Sequence, residues 1–124
     1  RMMMAAGMAG IGDCALNIFT SVVSRAGKTR GILDAGSKTF TADTGGLEGF
    51  GLILEHPKAR IHKMSEEHGF LDLSDCVTQP PIGDIVRVVP NHVCVVGNMF
   101  DQLVAVRGNK IVDVLPVTAR GRLV

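Results

Sequence analysis

The fold is indicated most directly by residues 103–115, Leu-Val-Ala-Val-Arg-Gly-Asn-Lys-Ile-Val-Asp-Val-Leu. Apolar and β-branched residues dominate both ends of this stretch, as is typical of strands. The Gly108-Asn109 dipeptide between them is typical of a two-residue hairpin turn of the mirror-image types, in which glycine supplies a positive φ. The stretch therefore predicts an antiparallel hairpin with strands at 103–107 and 110–115.

Further short strands are predicted on the N-terminal side of this hairpin. Residues 14–24 alternate apolar and polar side chains and, with residues 30–34, predict a second hairpin around a turn at 25–28. The same criteria predict strands at 38–41, 49–55, 59–64, 70–73 and 85–89. We therefore expect a mostly β fold, a distorted small β-barrel or sandwich of roughly seven to nine short strands with a short N-terminal helix.

The N-terminal segment, residues 1–12, differs from the rest of the chain in composition. Residues 1–9 are rich in Met and Ala, which are good helix formers, and predict a short buried helix. The run is too short and too interrupted by glycine for a transmembrane helix, and it resembles a signal peptide only weakly. Because the chain begins at Arg1, we expect residues 1–12 to connect a missing upstream domain to a β-rich domain at 13–124.

Composition excludes several functions. The 124 residues carry 13 Lys and Arg against 12 Asp and Glu, and this net charge of +1 argues against nucleic acid or membrane partners. The chain has no Trp, no Tyr and only five Phe, so stacking surfaces for single-stranded nucleic acid are missing. Its three cysteines, Cys14, Cys76 and Cys94, are far apart. They indicate reduced thiols in a cytoplasmic protein and not a disulfide framework.

His92 and Cys94 are the residues best suited to bind a metal. On an extended segment, side chains two positions apart leave the same face, with backbones roughly 6.6 Å apart. An imidazole and a thiolate so placed can converge on one ion, and this pair suits Zn²⁺ better than Mg²⁺ or Ca²⁺. Two ligands leave positions open for water and substrate, as a catalytic site requires. The alternative is a neutral histidine and a buried cysteine on an ordinary strand.

Two other groups match catalytic patterns less well. Glu66-Glu67-His68 lacks the His-Glu-x-x-His spacing of a zinc-binding helix, so a solvated turn is the main interpretation and a ligand or proton carrier at His68 is the alternative. Residues 31–39 differ from a phosphate-binding loop because Ser37 intervenes before Lys38. Nothing in the sequence indicates the desolvation or cationic neighbour that would activate Lys38 for Schiff-base chemistry.

Four motifs, in order, resemble those of a known enzyme family. They are Asp34-Ala35-Gly36-Ser37-Lys38, Ser65-Glu66-Glu67-His68-Gly69, Gly83-Asp84-x-Val86-Arg87-Val88-Val89-Pro90-Asn91-His92-Val93-Cys94 and Leu115-Pro116-Val117-Thr118-Ala119-Arg120-Gly121-Arg122. Over residues 13–122 the chain is similar to the C-terminal domain of the D-threonine aldolase/D-serine dehydratase family of pyridoxal-phosphate (PLP) enzymes. The resemblance implies an alanine-racemase-like enzyme, in which an N-terminal barrel holds PLP and a mostly β domain follows.

The resemblance also implies roles for individual residues. His92 and Cys94 would bind a divalent metal, zinc more readily than manganese, which activates the β-hydroxyl of a D-3-hydroxy amino acid. That hydroxyl then either leaves as water, the dehydratase reaction, or is deprotonated for Cα–Cβ cleavage, the aldolase reaction. The PLP lysine and phosphate loops belong to the barrel, so no catalytic or PLP-binding residue is assigned in this chain, and Lys38 does not match the PLP lysine.

The barrel implied by the resemblance is missing from this chain. We therefore expect the chain alone to be inactive, with the barrel supplied by a second chain or a removed upstream segment, and the complete enzyme to be a homodimer. Residues 2–10 would then pack against the barrel. The alternative function is a stand-alone small-barrel binding module with no catalytic role, in which His92 and Cys94 are core residues.

Overall fold

The computed structural model describes residues 1–122, and this part of the chain is mostly β. Its helices are α1 (Met2–Ala5), α2 (Ser37–Phe40) and α3 (Val93–Gly97), with a 3₁₀ turn at Ile11–Asp13. Its strands are β1 (Ile18–Ala26), β2 (Arg30–Leu33), β3 (Leu52–Ile53), β4 (Arg60–Met64), β5 (Gly69–Asp72), β6 (Ile85–Val89), β7 (Gln102–Arg107) and β8 (Lys110–Pro116). The predicted fold class is confirmed. Residues 123 and 124 of the predicted β-rich domain lie outside the described part.

Six strands form one antiparallel sheet in the order β3-β6-β1-β2-β5-β4, while β7 and β8 form a separate pair. The long strand β1 joins the two halves of the sheet. Its first part pairs with β6 and its second part with β2, where Val22 lies opposite Leu33. The Phe50 N–H donates to the Ile61 carbonyl at 3.1 Å. This bond links the chain just before β3 to β4, at the other end of the strand order, so the sheet nearly closes into a barrel.

The core lies inside this nearly closed sheet, because its strands alternate buried, mostly apolar side chains with side chains that are more exposed. The core side chains that are at most 1% exposed include Val22, Leu33, Ile53, Ile61, Leu71, Leu73, Val88 and Val96. Full burial of one such side chain contributes about 1.5–3 kcal/mol to stability. Phe40 of α2 and Val96 of α3 belong to the same cluster, so both helices are anchored to the barrel.

The predicted strand at 38–41 is wrong, because this segment forms α2. The N–H groups of Ser37 and Lys38 donate to carbonyls of the turn at 65–68, at 2.9 and 3.1 Å. Gly36 permits this close approach, since a Cβ there would lie 2.4 Å from the Ser65 carbonyl oxygen. The helical turn is therefore set by a distant part of the chain, which local alternation does not reveal.

The predicted strand at 49–55 is shortened to the two residues of β3. Gly49 and Gly51 have φ values of +69° and +155°, which are outside the strand region. The two glycines bend the chain before β3, so ladder pairing with β6 is confined to Leu52 and Ile53.

The N-terminal helix forms but is not buried as predicted. Met3 is 54% exposed and Met8, just after α1, is 72% exposed. The segment is held to the barrel through Arg1, whose guanidinium donates to the carbonyls of Glu48 and Gly51 at 3.1 Å. Among residues 1–122, no helix has the length and apolar character needed to cross a membrane.

The predicted C-terminal hairpin is present as β7 and β8. Arg107 lies opposite Lys110, so Gly108 and Asn109 form a two-residue turn. Gly108 has a φ of +59° and Asn109 a negative φ, the combination found in type II′ turns. Apolar side chains on both faces of the hairpin are 45–70% exposed, namely those of Val104, Val106, Ile111, Val112, Val114 and Leu115.

Candidate metal centre

The candidate site begins two residues after β6, at a buried asparagine. Asn91 is only 4% exposed. Its side-chain amide donates to the carbonyls of Thr44 and Gly49 at 3.0 and 2.8 Å, and its side-chain oxygen accepts from the Arg1 guanidinium at 3.1 Å. Asn91 therefore fixes the loop between α2 and β3 beside the next residue of its own segment, His92.

His92 is held by a carboxylate from that loop. Its backbone is extended, with φ −132° and ψ 107°, and its Nδ1 lies 2.6 Å from Oδ2 of Asp43. The other oxygen of this carboxylate accepts the Gly45 N–H at 2.8 Å. These two hydrogen bonds hold the pKa of Asp43 below its ordinary value, and the bond from His92 has the larger effect. Asp43 is therefore ionised at neutral pH and acts as the acceptor for His92.

Cys94 lies on a helix, so the prediction that His92 and Cys94 belong to one extended segment is wrong. The backbone turns into α3 at Val93, and Cys94 is the second residue of that helix. Val96 explains the turn, because it is 1% exposed, and Phe100, at a helical spacing of four, packs against the same core. Cys94 itself is an exposed free thiol, which also contradicts the alternative of a buried core cysteine.

The site is open to solvent. The side chain of His92 is 32% exposed and that of Asp43 is 42% exposed. Within residues 1–122, no group of three or more His, Cys, Asp or Glu side chains is placed to hold a metal ion. Any ion at His92 and Cys94 would therefore complete its coordination with water, substrate or groups from outside the described residues.

The turn at 65–68 has the geometry of a solvated surface turn. His68 is exposed, and its backbone N–H donates to the Ser65 hydroxyl at 3.3 Å. Glu67 forms an ion pair with Lys38 at 2.5 Å, and both side chains are more than 60% exposed. The hydrogen bond from Lys38 to Glu67 raises the pKa of Lys38. A nucleophilic lysine requires the opposite shift.

Asp43 is the residue of this site that sequence reasoning missed. It is 49 residues away from His92 along the chain, so no local spacing connects them. The local sequence Asp43-Thr44-Gly45-Gly46 is typical of a turn, and the bond from the Gly45 N–H to the Asp43 carboxylate is a turn-type contact. Only the folded sheet, through Asn91, brings the carboxylate to the imidazole.

Comparison with protein families places this domain. A family model described as "Putative serine dehydratase domain" matches residues 15–106. The chain belongs to this family. An uncharacterized protein of Mycobacterium tuberculosis is 39% identical over 115 residues, a match that covers 89% of this chain and 86% of that protein.

Two relatives of known activity are aldolases. D-threonine aldolase of Arthrobacter sp. is 34% identical over 106 residues, covering 86% of this chain and 27% of the aldolase. 3-Hydroxy-D-aspartate aldolase of Paracoccus denitrificans is 35% identical over 108 residues, covering 87% of this chain and 26% of that enzyme. The chain therefore spans about a quarter of the length of these two enzymes.

Solved structures of the family share the fold. D-threonine aldolase from Filomicrobium marinum matches with a TM-score of 0.76 and 30% identity, over 87% of this chain and 29% of that chain. A histidine-to-alanine variant of D-threo-3-hydroxyaspartate dehydratase matches with a TM-score of 0.80 and 25% identity, over 92% of this chain and 34% of that chain. A cysteine-to-alanine variant of the same enzyme, in a metal-free form, matches with a TM-score of 0.79 and 25% identity, over 92% of this chain and 35% of that chain. The two replaced residues are two positions apart in that dehydratase.

Proposed function

We propose that this chain is the metal-binding domain of a PLP-dependent lyase acting on D-3-hydroxy amino acids, with His92 and Cys94 as metal ligands. The observation that carries the proposal is the state of the His92 ring, whose Nδ1 is engaged by Asp43 while the side chain remains 32% exposed. An imidazole held in this way has its Nε2 available, the arrangement found in metal-ligating histidines whose other nitrogen bonds a carboxylate.

The relatives support this ligand pair. His92 and Cys94 have the same spacing as the histidine and the cysteine replaced in the two dehydratase variants, and the structure of the cysteine variant is of a metal-free form. The aldolase relatives act on D-threonine and 3-hydroxy-D-aspartate, which are both D-amino acids with a hydroxyl on Cβ. We therefore propose a substrate of the same class.

The donor set favours zinc. An imidazole nitrogen and a thiolate are borderline and soft ligands, which suit Zn²⁺ better than hard ions that prefer oxygen. When bound, the metal supplies Lewis-acid polarisation of the substrate β-hydroxyl, while PLP in the proposed barrel domain serves as the electron sink. His92 and Cys94 would hold the ion at the surface of this domain, and water or substrate would supply its remaining ligands.

The partner that this function requires is the PLP-binding barrel. The candidate centre is solvent-accessible, as an interdomain site must be before its other half is added. Exposed apolar side chains of the N-terminal segment, those of Met2, Met3 and Met8, offer a surface for that contact. We propose that the complete enzyme is a homodimer in which this domain and the barrel enclose the substrate.

Zinc binding tests the proposal. The chain should bind about one zinc ion, and His92→Ala and Cys94→Ala should each weaken binding by about 100-fold or more, because loss of a partner behind a ligand already costs about 10–100-fold. Affinity is measured by competition with a chromophoric chelator. In the cobalt-substituted chain, the thiolate-to-cobalt charge-transfer band should disappear in Cys94→Ala.

His62→Ala is the matched control, since His62 is an exposed histidine of β4. It should leave the zinc affinity unchanged. A wild-type chain that binds zinc no better than the His92→Ala variant would contradict the proposal. With the barrel domain supplied, glycine and acetaldehyde from D-threonine would indicate the aldolase reaction, and a keto acid with ammonia from D-serine would indicate the dehydratase reaction.

The second candidate function is a stand-alone binding module. It is favoured by the protein of Mycobacterium tuberculosis, because the matched region makes up 86% of that protein and leaves little room for a barrel. A module of this kind requires neither a metal nor a barrel partner. A chain that is folded and soluble by itself but takes up no metal would support the binding module over the lyase.

A further inference from the structure

We infer that Asp43 is the positioning residue of the metal centre, which fixes His92 in the Nδ1–H tautomer and directs its Nε2 to the metal. This inference rests on the proposed function. It goes beyond that function because it assigns a role to a residue that does not touch the ion. The geometry behind it is the 2.6 Å contact between His92 Nδ1 and Asp43 Oδ2.

The proton in this contact lies on the imidazole. Asp43 accepts a backbone N–H from Gly45 on one oxygen and faces the imidazole with the other, so both oxygens act as acceptors. An ionised carboxylate has no proton to donate. The bond to His92 therefore requires a hydrogen on Nδ1, and a neutral ring then carries its lone pair on Nε2.

The carboxylate of Asp43 is held in place without help from His92. The Asp43 N–H donates to the Thr41 hydroxyl at 3.2 Å, and the Gly45 N–H binds the carboxylate from the other side. Asn91, which is 4% exposed, binds the Thr44 carbonyl at 3.0 Å and thereby attaches this turn to the end of β6. Asp43 is thus a fixed acceptor to which the ring of His92 must adapt.

The backbone of this loop is strained at one position. Thr41 has φ +64° and ψ 172°, and it is the one residue other than glycine with positive φ among residues 1–122. A β-branched residue in this region is strained and persists only where surrounding contacts enforce it. The strained residue lies two positions before Asp43, so the fold maintains the direction of this loop at an energetic cost.

The backbone of His92 is held as well as its ring, unlike that of a residue in an ordinary surface ion pair. An exposed pair alone contributes little to stability. Here the imidazole is held at Nδ1 by Asp43, and its backbone is fixed between buried Asn91 and helix α3. Both ends of the side chain are therefore set, and Nε2 has one preferred direction.

The test compares Asp43→Ala, Asp43→Asn and the control Glu48→Ala at one neutral pH. Glu48 is an exposed acid of the same loop that pairs with Arg60 instead of His92. In the metal-free chain, nitrogen-15 NMR of the imidazole should show the Nδ1–H form in the wild type and Glu48→Ala. The ring should shift towards the Nε2–H form in Asp43→Ala. Asp43→Asn should largely retain the wild-type tautomer, because its amide oxygen still accepts from Nδ1.

Zinc affinity is the second readout. Asp43→Ala should weaken zinc binding by about 10–100-fold, because a carboxylate behind a histidine ligand both orients the ring and raises its basicity. Asp43→Asn should weaken zinc binding less, and Glu48→Ala should leave it unchanged. An unchanged tautomer in Asp43→Ala, or unchanged zinc affinity while His92→Ala loses it, overturns the inference and leaves the proposed function intact. A wild-type chain without zinc binding overturns both. If circular dichroism shows that Asp43→Ala does not keep the native fold, Asp43→Asn decides. Wild-type zinc affinity in Asp43→Asn together with loss of its Nδ1–H tautomer would also overturn the inference.

Discussion

The six-stranded sheet and the β7–β8 hairpin are built from similar apolar strands, but they bury these strands very differently. In β6, Val86 and Val88 are 2% and 0% exposed, while Ile85, the first residue of the strand, is 65% exposed. In β8, all seven residues are exposed. Alternation therefore identifies a strand, whereas burial depends on which other elements fold over it. We conclude that the sheet carries the stability of the domain and that the hairpin leaves its apolar faces uncovered within the described residues.

The largest expected effect that tests this comparison is a cavity in the sheet. Leu71 is 1% exposed in β5, which pairs with both β2 and β4. Leu71→Ala should lower the free energy of unfolding by about 2–5 kcal/mol, because the side chain is lost and its cavity closes only in part. Urea denaturation followed by circular dichroism measures the change.

Val112→Ala is the matched substitution on the hairpin, at a side chain that is 53% exposed. It should change the free energy of unfolding by about 0.5 kcal/mol or less. Equal losses in the two variants would break the comparison, since the hairpin would then be as well covered as the sheet.

Most of the sheet could be predicted from the sequence because strand periodicity is local. The bounds of β6 agree with the predicted 85–89, and the turn at Gly108 lies where the Gly-Asn pair predicts it. Helix α3 could not be predicted in the same way. Its Val93-Cys94-Val95-Val96 run is rich in β-branched valine and favours a strand by propensity, but Val96 is buried in the core as part of a helical turn.

The candidate site could be predicted only in part. His92 and Cys94 are identified by residue type and spacing, since imidazole and thiolate are metal ligands wherever they occur. Their geometry was predicted wrongly because it depends on the backbone turn at Val93. Asp43 could not be found at all, because its contact with His92 is created by the packing of one loop against buried Asn91.

A smaller effect is expected where α2 meets the sheet. A Cβ at Gly36 would lie 2.4–2.5 Å from backbone atoms of the turn at 65–68, which cannot move as a side chain can. Gly36→Ala should therefore cost about 1–3 kcal/mol through overpacking. Gly12→Ala is the control, because nothing lies within 4 Å of a Cβ at that position. Identical urea midpoints for both variants would mean that α2 is attached no more firmly than the exposed N-terminal segment.

The smallest expected effect is a pH-dependent link between β1 and β2. Asp34, directly after β2, accepts from the Thr20 hydroxyl at 2.6 Å and from the Ser21 N–H at 2.8 Å. Burial raises the pKa of Asp34, but these hydrogen bonds outweigh it, and the pKa lies below its ordinary value. A lowered folded-state pKa contributes stability that is present above the unfolded-state value of about 3.9 and is lost as the pH falls through the folded-state value.

Asp34→Asn removes this contribution. The difference in unfolding free energy between the wild type and Asp34→Asn should therefore be largest near neutral pH and shrink between about pH 5 and 2. Thr20→Val, which keeps the shape but removes one donor, should give an intermediate pH dependence in urea titrations at each pH. A difference that stays constant as the pH falls would mean that the charge of Asp34 contributes nothing. The junction of β1 and β2 would then depend on backbone pairing and apolar burial, without a contribution from charge.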